Sequence, residues 1–114
     1  MYNKLVLYRN ELKNKIVPKY KILGMVSEII LSKELFNKNQ DLETFLLDVF
    51  NISYKKYVMR SRTSILARTI RLLNNADEVL FTHYKNNLNK YVQVSIESLS
   101  SLEDHKKIFN GWID

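Results

Sequence analysis

The most informative segment of the chain spans residues 52–75 and reads ISYKKYVMRSRTSILARTIRLLNN. It holds six cations and no acid, and it contains neither glycine nor proline. When each residue is advanced by about 100° around a helix axis, most apolar side chains fall in one broad arc, and most of the charged ones fall opposite. This pattern predicts a long basic helix over about residues 53–74, the longest helix of the chain.

The fold class follows from how few turn-forming residues the chain has. Two glycines and one proline in 114 residues leave little room for the tight turns of a many-stranded sheet. Between Ile22 and Leu31 the sequence has no wide polar face, which is typical of a central, buried helix. We therefore expect an all-α, single-domain bundle of five or six helices over residues 1–114, with a central apolar helix at about 19–36 and the basic helix at about 53–74.

Several helix ends can be predicted from capping residues. Ser53 is a suitable N-cap for the basic helix, and Asn51 tolerates the left-handed conformation that often ends a helix. Asn75 stands three residues before Glu78, a spacing typical of a helix start. The same spacing at Ser100–Glu103 predicts a last short helix that ends near Gly111, after which residues 108–113 are expected to pack on the body.

Two predictions concern residues inside the bundle. Leu31 and Ile65 are expected to be buried in the core. Gly24, which interrupts the central apolar helix, is expected to allow the close approach of another helix.

Composition and charge exclude several classes of protein. The chain has no cysteine, which excludes a disulfide framework and thiolate metal sites. We find no signal-peptide pattern and no apolar run long enough to span a bilayer, so a soluble cytoplasmic protein is expected. The net charge of +6 is uneven, because residues 41–51 hold three acids and no cation. The surface should therefore carry potential of both signs.

The basic helix provides the candidate binding site. Small or hydroxylic residues lie between its charges and allow a polyanion to approach closely. Cations along one helix face match backbone phosphates electrostatically. The leading hypothesis is a small regulatory protein that binds DNA or RNA through phosphate contacts of Lys55, Lys56, Arg60, Arg68 and Arg71.

Tyrosines interleaved with lysines, as in Tyr54-Lys-Lys-Tyr57, could stack on bases. Residues at this spacing are more often core-edge side chains with a hydrated hydroxyl.

Three alternatives remain open at this point. The cationic face could be a solvated surface that faces the acidic segments 41–51 and 76–79 of its own fold. It could instead belong to a helical protein–protein interaction module, of inhibitor, immunity or adaptor type, with an acidic protein partner. In a homo-oligomer, the basic helix of one copy would meet the acidic segments of another. Residues 41–73 also match a helix-turn-helix weakly, although the turn lacks glycine and the second helix is too long.

Arg62 falls in the middle of the apolar arc, next to Lys55, and so differs from the cations on the opposite face. A buried guanidinium without acceptors is costly. One interpretation is a structural ion pair with Asp48 or Glu43 on the preceding helix. The other is an arginine in a pocket that binds a phosphate or carboxylate.

The sequence contains no pattern that indicates catalysis. His83 and His105 have no cysteine or further histidine near them, and no glycine-rich phosphate loop or zinc-protease motif occurs. The acids cluster at predicted helix starts, where the helix dipole favours them. We therefore expect no enzymatic activity, no cofactor and no metal site.

Overall fold

Helices form every regular element in the part of the chain that can be described. The computed structural model describes the backbone of residues 1–113 and the side chains of residues 1–101. It contains no strand within those residues, so the predicted all-α fold is confirmed. The six α-helices are α1 (Tyr2–Leu12), α2 (Lys19–Leu31), α3 (Leu42–Phe50), α4 (Lys56–Met59), α5 (Arg62–Asn75) and α6 (Glu78–Ile113).

The helices pack in two connected groups. α1 and α3 both lie against α6, while α5 packs on α2. α2 and α5 are antiparallel, because Lys19 at the start of α2 donates to the Asn74 carbonyl at the end of α5, at 2.6 Å. Ion pairs between Lys4 and Glu28 (2.7 Å) and between Lys21 and Glu11 (3.8 Å) join α1 to α2. α2 therefore lies between α1 and α5.

Aromatic rings fill the part of the core under α3. The Phe45 ring centroid lies 5.0 Å from that of Tyr91 and 5.9 Å from that of Phe50, in edge-on geometry. Phe36 and Tyr84 extend the cluster on either side. Aromatic pairs at these distances add attraction beyond simple area burial, so this cluster holds α3 firmly on α6.

The central helix is shorter and less enclosed than predicted. α2 ends at Leu31, because Ser32 is extended and its Oγ accepts a hydrogen bond from the Leu35 amide at 3.2 Å. A stripe of Tyr20, Gly24, Glu28 and Leu31 faces solvent. The prediction that Leu31 is buried is wrong, since 48% of it is exposed. Within the described residues, no helix approaches Gly24 closely, because a Cβ there would meet no atom within 4 Å.

The predicted long basic helix is divided into α4 and α5. Ser61 adopts an extended backbone (φ −124°, ψ 117°), and its Oγ accepts from the Ser64 amide at 3.2 Å, so it is the N-cap of α5. A serine in this position satisfies an amide that the first helical turn leaves unpaired. Ser53 does not act as a cap, since Lys55 precedes the first residue of α4. α6, rather than the basic segment, is the longest of the described helices.

α5 buries the face that the helical pattern assigns to the core. Ile65, Thr69 and Leu73, spaced four residues apart, are fully buried. The prediction for Ile65 is therefore confirmed.

Two predicted helix ends have different outcomes: the prediction for Asn51, at the end of α3, is correct, and the prediction for Asn75, at the end of α5, is wrong. Asn51 is left-handed (φ 54°), as predicted, and its amide donates to the Leu47 carbonyl at 2.9 Å. Asn75, by contrast, is still part of α5. Asp77 caps the next helix instead, since its Oδ1 accepts from the Leu80 amide at 2.8 Å.

The C-terminal helix continues through the predicted boundary at Ser100. α6 runs without a break to Ile113, so the predicted separate last helix is wrong. The predicted packing of residues 108–113 lies outside the described side chains. None of the described helices is both long and apolar enough to cross a membrane.

Candidate nucleic-acid interface

The five cations predicted to bind a partner are all exposed. The ion pairs among the side chains of residues 1–101 join the Met1 amino group to Glu34, Lys4 to Glu28, and Lys21 to Glu11. None of these pairs uses a cation of the basic segment. We call the following group the cationic surface: Lys55, Lys56, Arg60, Arg68 and Arg71. Within the described residues, its charge is not neutralised by ion pairing.

Two shallow grooves divide this surface. The first groove has a volume of about 430 Å³ and is lined by Ile52, Tyr54, Arg68, Arg71, Leu72, Asn75, Ala76 and Leu80. The second groove has a volume of about 340 Å³ and is lined by Gln40, Glu43, Tyr54, Lys56, Met59 and Arg60. The two grooves thus divide four of the five cations into two pairs, with Lys56 and Arg60 before α5 and Arg68 and Arg71 on α5. Lys55 is exposed but lines neither groove.

Tyr54 lies between the two grooves and is held by a buried threonine. The Thr69 hydroxyl donates to the Ile65 carbonyl at 2.8 Å, so the Tyr54 hydroxyl, 2.9 Å away, donates to Thr69. Burial raises the pKa of Tyr54, and the bond to Thr69 and the charge of Arg68 oppose that rise only in part. The tyrosine is therefore neutral at physiological pH. The burial of Thr69 was not predicted, although its spacing of four residues from Ile65 and from Leu73 indicates it.

A second tyrosine lies on the outside of the same surface. Tyr57, on α4, is 61% exposed. The guanidinium carbon of Arg68 lies 5.8 Å from the Tyr57 ring centroid, a distance typical of a cation–π contact. An aromatic ring is thus held at the surface beside an arginine that also lines the first groove.

Glu43 is the acid that shares a groove with the cationic surface. It lines the second groove together with Lys56 and Arg60. The first groove differs, because none of its described lining residues is an acid. The lining of the first groove thus carries two arginines and no acid, whereas that of the second carries two cations and one acid.

The predicted pairing of Arg62 with Asp48 or Glu43 is wrong. Its guanidinium donates to three neutral oxygens: Nε to Asn39 Oδ1 at 2.8 Å, Nη1 to the Ile30 carbonyl at 2.9 Å and Nη2 to the Phe36 carbonyl at 2.8 Å.

The break before α5 explains this choice of partners. It turns Arg62 toward the last turn of α2, where helix carbonyls lack intrahelical donors and favour a cation. Asp48 lies elsewhere, beside Lys90 and Tyr91. The guanidinium is engaged by the protein itself, so it does not form an anion-binding pocket.

The helix-turn-helix alternative does not match the observed elements. The four-residue α4 lies between α3 and α5, so no short turn joins a first helix directly to a recognition helix, as that motif requires.

The described residues contain no group of three or more His, Asp or Glu side chains that could hold a metal ion. His83 is exposed, and its Nε2 lies 3.3 Å from the Asn87 amide nitrogen. The His105 side chain lies outside the described part.

Comparison with known proteins finds no relative of this chain. No protein-family model matches the chain, and no curated protein or solved structure is significantly similar to it. The function must therefore be inferred from the geometry and charge of the cationic surface.

Proposed function

We propose that this protein binds nucleic acid through backbone phosphates, using Lys56, Arg60, Arg68 and Arg71 of the cationic surface. The observation that carries the proposal is that these cations are exposed and take part in no ion pair among the described side chains. Lysines and arginines in this state attract phosphates and release condensed counterions on binding. Lys55 adds to the local potential from outside the grooves.

The rigidity of α5 supports the same proposal. Its opposite face is anchored in the core by Ile65 and Leu73, both fully buried. Arg68 and Arg71 therefore project from a fixed rod, and less backbone entropy is lost on binding than from a flexible loop. Because both arginines are exposed, replacing them should leave the fold intact.

The test is fluorescence anisotropy with labelled single-stranded and duplex oligonucleotides at about 50 mM salt, where phosphate contacts are strong. Wild-type protein should bind. The double variant Arg68→Gln, Arg71→Gln should bind much more weakly. The matched control is Lys13→Gln, Lys15→Gln, which removes the same charge from exposed residues between α1 and α2 and should retain most of the affinity.

Two results would contradict the proposal. If neither oligonucleotide binds, nucleic acid is not the partner. If the control variant loses as much affinity as the arginine variant, binding depends on net charge and not on this surface. Binding of polyglutamate in place of nucleic acid would instead support the alternative of an acidic protein partner.

A further inference from the structure

We propose that the cationic surface is selective for single-stranded nucleic acid, with one base stacked on Tyr57 and a neighbouring nucleoside in the first groove. This inference rests on the proposed function and specifies the form of its ligand. Three features of the surface support it: the exposed Tyr57, a partly apolar groove lining, and two arginines in that lining, of which Arg68 also lies against Tyr57.

Tyr57 is suited to stacking on a base. The residue is 61% exposed, so stacking would remove apolar surface from water without disturbing the core. Arg68 lies against the same ring, and it is placed to contact the phosphate of a base that stacks there. Proteins that bind single strands typically combine cations, which contact the backbone, with aromatic rings, on which any base can stack through its π-face.

The first groove is suited to a nucleoside rather than to phosphate alone. Part of its lining is apolar, from Ile52, Leu72 and Leu80. Its volume of about 430 Å³ falls within the range of small-molecule sites, which is roughly 300–1,000 Å³. The side-chain amide of Asn75 adds a donor and an acceptor for the edge of a base.

Charge complementarity selects an anionic occupant for this groove. Arg68 and Arg71 belong to its lining, and none of the described lining residues is an acid. The two arginines lie three positions apart on α5, on neighbouring turns of one helix face. They can therefore bind successive phosphates of a strand whose bases turn toward Tyr57 and the apolar floor.

A duplex would use this surface less completely. Its bases are stacked and paired inside, so it presents mainly phosphates to a flat protein surface. The arginines would be engaged, but the Tyr57 ring and the apolar lining would gain no base contact. Unpaired bases are the ones that can be splayed out onto aromatic side chains.

The experiment compares three ligands of equal length by anisotropy: a single strand, a duplex and an abasic sugar–phosphate strand. Wild-type protein should bind the single strand more than about tenfold more tightly than the abasic strand, because the abasic strand lacks both the stacked base, which alone contributes on the order of tenfold in affinity, and the base in the first groove. It should also bind the duplex more weakly than the single strand.

Variants then locate the base contact. Tyr57→Ala should lower the affinity for the single strand about tenfold and leave the affinity for the abasic strand unchanged. Tyr57→Phe should keep most of the wild-type affinity for the single strand. Tyr2→Ala is the control, since Tyr2 is exposed on α1 and lines neither groove. Circular dichroism melts of all three variants confirm that the fold is retained.

Each contrary result has a defined meaning. If the abasic strand binds as tightly as the single strand, or the duplex binds more tightly, the inference is overturned while phosphate binding stands. If Tyr57→Ala and Tyr2→Ala behave alike, the base does not stack on Tyr57, and the inference fails. Absence of binding to all three ligands overturns both proposals. Displacement of the strand by polyglutamate at equal charge concentration would assign the groove to an acidic peptide.

Discussion

Arg62 connects three segments that are distant from it in sequence. Through one guanidinium it contacts the last turn of α2 at Ile30, the following loop at Phe36, and Asn39 in the short 3-10 turn before α3. The planar fork of arginine donors suits such divergent acceptors, whereas a lysine ammonium acts as a point charge. Arg62 thereby fixes the α2–α3 connection against the start of α5.

Removing this side chain should destabilise the protein more than removing a surface arginine. Arg62→Ala should lower the free energy of unfolding by about 3 kcal/mol, because two carbonyls and one amide lose a charged donor. Arg60→Ala, at an exposed position, should change it by no more than about 0.5 kcal/mol. Urea denaturation of both variants and of Arg62→Lys is the measurement. Equal midpoints for Arg60→Ala and Arg62→Ala would show that Arg62 has no structural role.

Gly24 offers a stabilising change. It lies within α2 and is exposed, and a methyl group added at its Cα would have no neighbouring atom within 4 Å. Gly24→Ala should raise the free energy of unfolding by about 0.5–1 kcal/mol, since alanine loses less backbone entropy in a helix. A thermal melt measures the effect. A lower melting temperature would mean that a neighbour packs against this position.

Sequence reasoning located Arg62 correctly but not its partners. The helical pattern placed it among apolar side chains, which required that its charge be satisfied. The acceptors are two backbone carbonyls and an amide, and carbonyls carry no residue-specific signal in a sequence. Only the tertiary arrangement of α2, the loop after it and α5 brings them together.

At the scale of elements, apolar periodicity predicted the buried face of α5, whereas capping residues predicted helix boundaries less well. The predicted apolar arc of the basic segment includes Ile65 and Leu73, both of which are fully buried. The break at Ser61 was missed because serine is only moderately unfavourable inside a helix and becomes a cap when the chain turns there. α2 was expected to be enclosed, but packing between α1 and α5 leaves its third side open at Leu31.

The same two positions, Ile65 and Leu31, test the assignment of buried faces. Ile65→Asp should unfold the protein or make it insoluble, because it places a charge at a fully buried site. Leu31→Asp should remain folded, since this side chain is already 48% exposed. Circular dichroism and the soluble yield of each variant distinguish them. A folded, stable Ile65→Asp variant would contradict the packing of α5 on α2.

At the scale of the whole molecule, the tyrosines make the free energy of unfolding depend on pH in the alkaline range. The pKa values of Tyr8, Tyr54 and Tyr91 are all raised, and burial is the main cause for each. Below pH about 10 the tyrosines are protonated in both the folded and the unfolded state. Above it, the unfolded chain releases protons that the native state retains. The native state then binds more protons, so the free energy of unfolding falls as pH rises.

Denaturation curves between about pH 8 and pH 11 should therefore show falling stability above pH about 10. Tyr91→Phe should make this fall shallower, because it removes one hydroxyl whose pKa burial raises. Tyr20→Phe is the control, since Tyr20 is 70% exposed, and it should leave the fall unchanged. Identical pH profiles for wild type and Tyr91→Phe would refute the link to this residue.

The uneven charge of the chain was readable from its sequence, but its arrangement was not. The sequence predicted that five cations, Lys55, Lys56, Arg60, Arg68 and Arg71, bind a partner from one long helix. In the structure they form two pairs on either side of Tyr54, with Lys55 outside both grooves. The sequence offered both Tyr54 and Tyr57 as possible stacking residues, and only the exposure of Tyr57 and its contact with Arg68 distinguish it from the half-buried Tyr54.

The most direct test of nucleic-acid binding by this surface is the salt dependence of affinity. The logarithm of the association constant for a single strand should fall linearly with the logarithm of salt concentration, by about 0.7 per phosphate contacted. A variant with glutamine at Lys56, Arg60, Arg68 and Arg71 should have a slope shallower by roughly three units, with an unchanged melting temperature. An unchanged slope in that variant, or no binding by the wild type at about 50 mM salt, would contradict the assignment of this surface to phosphate binding.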